Sequence, residues 1–203
     1  MVKGDTYHQL PMPDADVRLY PAFLASAQAD AIFTTLLRQI AWQRGRIKLY
    51  GREYDIPRLQ AWYGDPGKTY TYSGIRMEPL DWTPPLRRIK EAVEAIAGAT
   101  FTNVLANLYR DGRDSVGWHA DDETELGPNP IIASVSLGAV RTLKFKHLKT
   151  GQRLQITLPH GSCLLMAGPT QHYWHHELPK TRKLIGPRIN LTFRQIKSRS
   201  ANG

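Results

Sequence analysis

The chain has a single cysteine, Cys163, so no intrachain disulfide is possible. No stretch approaches the roughly 20 apolar residues that a membrane-spanning helix requires. There is no internal repeat and no low-complexity linker. The opening Met1-Val2-Lys3-Gly4-Asp5 lacks the apolar core of a secretory signal. These absences predict a cytoplasmic or nucleoid-associated protein in a reducing compartment, with no membrane role and no obligate protein partner evident. Acid is also missing where base is dense. From Arg182 to Arg199 there are six Lys or Arg and no Asp or Glu.

What is present is an ordinary globular composition. The chain has 203 residues, 41% of them hydrophobic, enough for a substantial core and most simply one domain. The formal charge is +9, which favours a polyanionic partner, nucleic acid before an acidic membrane. Plain solubility is the competing explanation of that charge. Residues 1–15 read as a flexible arm, 16–197 as one domain and 198–203 as a tail. A helix is expected from Ser26, as N-cap, to about Ile40, with Ile32, Leu36, Leu37 and Ile40 as its apolar stripe. Trp42 to Tyr54 reads as a strand pair turning near Tyr50-Gly51-Arg52. A second helix is expected over Pro84–Ala97, capped by Thr83 and ended by Gly98. After Thr100 the pattern becomes short strands punctuated by Gly, Pro and Asp. They are expected over 101–109, 131–137, 142–147, 153–158, 162–166 and 188–195. The result is a mainly β fold with flanking helices, a sandwich or jelly roll.

The chemistry concentrates in Trp118-His119-Ala120-Asp121. On a strand, residues two apart share a face, so one imidazole and one carboxylate sit side by side. A histidine from a distant strand would complete a two-histidine, one-carboxylate set, which leaves open positions on a metal as in non-haem Fe(II) oxygenases. Their ligating atoms are expected to converge on one point. The residues alone leave His172, His175 and His176 as equal candidates for that histidine, and a tetrahedral zinc site as a competing metal. Arg188 and Arg194, six apart on one strand face, can hold a dicarboxylate by charge-assisted bonds. Six extended residues span roughly 20 Å, so the two side chains must lean together or the strand must bend.

Trp118-His119-Ala120-Asp121, the distal His176 and the ending Pro187-Arg188-Ile189-Asn190-Leu191-Thr192-Phe193-Arg194 resemble the AlkB family. Asn107-Leu108-Tyr109 falls in the family's order, and the similarity runs from about Lys48 to Ile196. Tyr70-Thr71-Tyr72-Ser73-Gly74 and Asp121-Asp122-Glu123 look closest to the branch acting on duplex DNA. The resemblance implies a double-stranded β-helix, or jelly roll, in residues 101–197. Residues 16–100 would then supply supporting helices and a nucleotide-recognition lid. It implies oxidative removal of alkyl groups from bases such as 1-methyladenine and 3-methylcytosine. The implied cofactors are Fe(II), 2-oxoglutarate and O2, with release of formaldehyde, succinate and CO2.

By the same resemblance His119, Asp121 and His176 bind iron. Asn107, Tyr109, Arg188, Asn190, Thr192 and Arg194 hold 2-oxoglutarate. Arg188 takes the far carboxylate and Arg194 the end at the metal. Tyr70, Tyr72 and Ser73 cover the damaged base, and Asp122 and Glu123 face its positive charge. Tyr50, in a hairpin finger, wedges into the gap left by the flipped base. Arg58 and Gln60 contact the nucleic-acid backbone nearby. Cys163 reads as buried apolar filler. Two alternatives stay open: the same chemistry on RNA, tRNA, single-stranded DNA or a protein side chain, and a non-catalytic nucleic-acid-binding module on the same fold.

Overall fold

The structure is a computed structural model that describes residues 6–49, 52–67, 70–72 and 75–197, with side chains left out at 47–49, 52–53, 70–72 and 75–77. The first half supplies β1 (His8–Gln9), β2 (Asp16–Tyr20), helix α1 (Ser26–Gln39), β3 (Gln43–Leu49), β4 (Arg52–Gly64), β5 (Tyr70–Tyr72), β6 (Ile75–Met77) and helix α2 (Pro84–Ala97). The second half is nearly all strand: β7 (Asn103–Tyr109), β8 (Val116–His119), β9 (Ile132–Gly138), β10 (Arg141–His147), β11 (Arg153–Leu158), β12 (Ser162–Ala167), the one-turn helix α3 (Thr170–Tyr173), β13 (Trp174–Leu178) and β14 (Arg188–Arg194).

Two antiparallel sheets make the jelly roll. The larger runs β1-β2-β12-β9-β14-β7-β4-β3 and the smaller β11-β10-β13-β8. β5 and β6 pair with each other. Alternation along the central strands sorts the side chains. Ile189, Leu191 and Phe193 of β14 face outward with Val104, Ala106 and Leu108 of β7 and Ala133, Val135 and Leu137 of β9. Helices α1 and α2 cover that face through Leu36, Leu86, Ile89 and Val93. The amphipathic spacing of α2 therefore folds it onto the sheet. The opposite face meets the small sheet in a second core of Leu105, Leu164, Met166, Phe145 and Trp174. Every residue of β14 is buried, one face against helices and the other inside the sandwich.

Several expected ends move. Ala25, not Ser26, is the N-cap of α1, and no side chain caps it. Thr83 is the N-cap of α2 but its hydroxyl makes no capping bond; Pro84 and the left-handed Gly98 (φ 61°) fix that helix's ends. β4 continues ten residues past Tyr54, to Gly64, because it pairs with β3 and then with β7. The expected arm is partly seated: His8 and Gln9 pair with β2, and Met12 is buried. β2, β8 and β13 are too short to show a period in the sequence.

Phe193 lies parallel to Trp82, with ring centroids 6.3 Å apart, and 6.1 Å from Phe101. Phe193→Ala should lower unfolding free energy by about 3–5 kcal/mol in urea titration. A loss under 1 kcal/mol would mean the helices do not depend on this contact.

Candidate active site

The inner face of β14 presents Arg188, Asn190, Thr192 and Arg194, all buried. Register sets their neighbours. Arg188 opposes Tyr109 on β7, Asn190 opposes Asn107, and Asn190 and Thr192 stand beside Ser136 and Ser134 on β9. The Arg188 Nη2 donates to Ser136 Oγ (2.9 Å) and to Asn190 Oδ1 (2.7 Å). Asn190 Nδ2 donates on to Thr192 Oγ1 (2.7 Å), and Ser134 Oγ donates to Asn190 Oδ1 (3.1 Å). The guanidinium of Arg188 thus leans along the strand toward Arg194, with its Cζ 5.3 Å from the Tyr109 ring centre. This lean answers the span problem posed by six extended residues. Burial pushes Arg188 down to about 10, so it stays charged at neutral pH. Its Nε is buried with no hydrogen-bond partner among the described residues.

The small sheet brings the histidines together. His176 on β13 pairs directly with His119 on β8, and their ring centroids are 4.2 Å apart. His119 Nδ1 lies 2.8 Å from the Gly117 carbonyl oxygen. A carbonyl only accepts, so Nδ1 carries a proton, and in the neutral ring the lone pair is left on Nε2. Burial, then the neighbouring His119, pushes His176 down to about 3, leaving a neutral imidazole. β8 ends at His119, so Asp121 stands beyond the strand and not on its face. Its backbone N–H donates to Gln171 Oε1 at 2.9 Å. Burial would raise the Asp121 carboxyl, but the charge of Arg194, the nearby His176 and His119 and the Arg194 hydrogen bond together outweigh it and bring it to about 2. Arg194 Nη2 donates directly to Asp121 Oδ1.

Ten of the expected residues line one cavity: Arg58, Asn107, Tyr109, His119, Asp121, His176, Arg188, Asn190, Thr192 and Arg194. The expected convergence on a point is not formed. Among the described residues no three His, Cys, Asp or Glu side chains are gathered as a ready cage, and one Asp121 oxygen is held by Arg194. The donor types nevertheless suit a divalent cation: a neutral His176, a His119 lone pair and an ionised carboxylate. Arg58 and Gln60 are corrected. Both are buried, and Arg58 Nε donates to Asn107 Oδ1 (2.8 Å), so neither can lie along a nucleic-acid backbone. Asp122 is exposed and Glu123 half-buried, and neither lines the cavity. Tyr50 and Ser73 lie outside the described residues, as do the side chains of Tyr70 and Tyr72.

Sequence reasoning missed Ser134, Ser136 and Gln171. The two serines carried a signal, since Ala133-Ser134-Val135-Ser136-Leu137 alternates polar with apolar. Gln171 carried none. Also missed is Arg141, buried over the Tyr109 ring, which donates to the carbonyls of Asp111, Asp114 and Pro179.

Two sheets closing on two histidines, one of them buried, with a buried carboxylate and two buried arginines describe an oxygenase of the jelly-roll class, and residues 16–194 match the 2OG-Fe(II) oxygenase superfamily. The chain belongs to that superfamily, whose cofactors are Fe(II), 2-oxoglutarate and O2. It is 43% identical over 188 residues to the DNA oxidative demethylase ALKBH2 of Homo sapiens, covering 87% of this chain and 72% of that one. It is also 43% identical over 190 residues to the alpha-ketoglutarate-dependent dioxygenase alkB homolog 3 of Homo sapiens, covering 89% and 66%. Among solved structures, OsALKBH1 superposes with a TM-score of 0.64 at 18% identity, covering 94% of this chain and 100% of that one. A prolyl hydroxylase from Trichoplax adhaerens gives 0.62 at 12% identity, covering 89% and 83%. These two show the shared fold.

The β7–β8 turn that delivers His119 is held by Arg110 and Asp114. Arg110 Nε and Nη2 donate to the Asp114 carboxylate at 2.8 and 2.9 Å, and the Arg110 backbone N–H adds a third bond. Burial would raise Asp114, but these bonds and the guanidinium charge hold it below the usual carboxylate range. A depressed carboxyl stabilises the fold above its unfolded pKa, about 4, and that contribution is lost as pH falls through the folded value. Asp114→Asn should therefore cost about 1–2 kcal/mol at pH 7 and progressively less below pH 4. Urea unfolding at several pH values measures the gap. A gap that does not shrink in acid would remove the charge from the account.

Proposed function

We propose that this enzyme repairs alkylated DNA by oxidative dealkylation of bases such as 1-methyladenine and 3-methylcytosine. The observation that carries the reading is 43% identity, over 87% of the chain, to a protein named for DNA oxidative demethylation. The +9 charge agrees with a polyanionic substrate. His119, Asp121 and His176 would hold Fe(II), with Asp121 giving up part of its contact with Arg194. The bound metal would supply the oxidising chemistry, coupling 2-oxoglutarate and O2 to hydroxylation of the N-alkyl group.

The chain's own residues do the rest. The buried Arg188, whose Nε meets no acceptor among the described residues, takes the far carboxylate of 2-oxoglutarate. Tyr109 and Asn190 fix that guanidinium from two sides. Arg194, already beside Asp121, takes the carboxylate at the metal end. Leu105, Leu143, Leu164 and Met166 close the wall and exclude water from the reacting atoms. On the substrate side, Tyr70 and Tyr72 belong to β5, Ser73 follows it in sequence, and Tyr50 falls in sequence between β4 and β3, an edge strand of the large sheet. A wedge there favours duplex DNA, because only a duplex must have a stacked, paired base extracted.

Incubation of methylated oligonucleotides with Fe(II), 2-oxoglutarate and ascorbate should release formaldehyde and the unmodified base, read by mass spectrometry. Methylated duplex, single-stranded DNA and RNA are compared in parallel. Tyr50→Ala should lower turnover on duplex about tenfold and on single strand much less. Equal losses would leave no finger, and turnover confined to RNA would replace the DNA reading. For the co-substrate, Arg188→Ala should raise the 2-oxoglutarate requirement about ten- to a hundredfold and leave the oligonucleotide requirement nearly unchanged. An unaltered 2-oxoglutarate dependence would take Arg188 out of the site.

A further inference from the structure

The two histidines are placed by a paired strand, whereas Asp121 is not. β8 stops at His119, opposite His176. Continued pairing would bring Trp174 opposite Asp121, but the chain before Trp174 winds into α3. The Asp121 N–H therefore has no ladder partner, and it sits inside the protein, where an unbonded donor costs about 1–3 kcal/mol. The second residue of α3 supplies the acceptor. Gln171 is 2% exposed, and its Oε1 receives that N–H at 2.9 Å. Its Nε2 lies 3.7 Å from Met166 Sδ, a weak acceptor in the cavity wall. The amide has one orientation only, since turning it over would set an NH2 against the Asp121 N–H.

We infer that Gln171 is a positioning residue for the metal site: its bond to the Asp121 backbone N–H sets where the carboxylate stands relative to His119 and His176. The carboxylate itself is held by Arg194. Gln171 is thus the hold on Asp121 that survives when the carboxylate turns from Arg194 toward a cation. Removing it leaves two ligands on paired strands and a third on an untethered loop. The inference rests on the reading of Asp121 as a metal ligand, which Asp121→Ala tests separately by losing metal binding.

The test is titration of the metal-free protein with Co(II), followed by absorbance, alongside thermal unfolding of the same metal-free samples. Gln171→Met keeps the volume and the packing against Met166 but removes the acceptor. It should weaken Co(II) binding about tenfold or more, the usual effect of losing a partner that orients a ligand. Gln171→Glu keeps an acceptor oxygen and should bind Co(II) within a few-fold of the unaltered protein. A purely structural role predicts the reverse order, because methionine packs well there and a buried second carboxylate does not. Should Gln171→Met unfold, Gln171→Asn, one methylene too short to reach the N–H, replaces it with the same expected loss. Full-strength Co(II) binding by Gln171→Met, or by Gln171→Asn in its place, overturns the inference. So does loss in Gln171→Glu equal to that in the variant lacking the acceptor.

Discussion

The structure is organised around burying positive charge on one strand. Arg188 and Arg194 lie almost wholly inside the sandwich on β14. An unpaired charge in such a place costs several kcal/mol, so the surrounding strands must supply partners. They do so unequally. Arg194 is matched by the Asp121 carboxylate. Among the described residues Arg188 is met by neutral groups, Ser136, Asn190 and Tyr109. Charge is thus balanced at one end of the row and left in excess at the other. The cavity lining carries three guanidinium groups, from Arg58, Arg188 and Arg194, against one carboxylate. A dicarboxylate is the ligand whose charge answers that surplus.

This arrangement needs a central strand. An edge strand would expose one flank of the arginines to water, and the surplus charge would be screened. β14 instead lies between β9 and β7. Each neighbour contributes inward polar atoms in register, Ser134 and Ser136 from one side and Asn107 and Tyr109 from the other. The outward residues of the same strands are wholly apolar and take the helices. A one-residue slip of β14 would bury Ile189, Leu191 and Phe193 in the polar cavity and drive both arginines into the helix-facing core. Register is therefore enforced twice, by charge on one face and by packing on the other.

That double enforcement explains what could be read from the sequence. Arg-x-Asn-x-Thr-x-Arg with Ile, Leu and Phe between is a period-two pattern, so the face of each residue was legible. So was α2, whose proline start and glycine end are local signals. Asp121 was misplaced because the rule for residues two apart holds only while the strand lasts, and β8 ends two residues earlier than Asp121. Arg58 was assigned to nucleic acid by the resemblance, with nothing local to show that it is buried. The long β4, which carries it inward against Asn107, is not marked by any local pattern. His176 could not be separated from His172 or His175 by residues alone. Its cross-strand pairing with His119 is a contact between segments 57 positions apart, and only a resemblance could anticipate it.

The two ends of the reaction are built with different support. The proposed co-substrate end sits among four paired strands of the large sheet, with buried side chains on every flank. The elements assigned to substrate lie toward the periphery: β3 is an edge strand, and β5 and β6 pair only with each other among the described residues. Binding a small dianion of fixed shape rewards a rigid frame, because arginine forks lose affinity steeply when misaligned. Accepting a nucleic-acid base requires parts that can be altered without disturbing that frame. Edge and isolated strands meet this need, since they share few buried contacts with the core. Asp121 belongs to neither extreme. It is a core carboxylate on a loop, joined to the large sheet through Arg194 and to α3 through Gln171. The proposed metal site is accordingly joined to both the large sheet and α3, and its geometry depends on both.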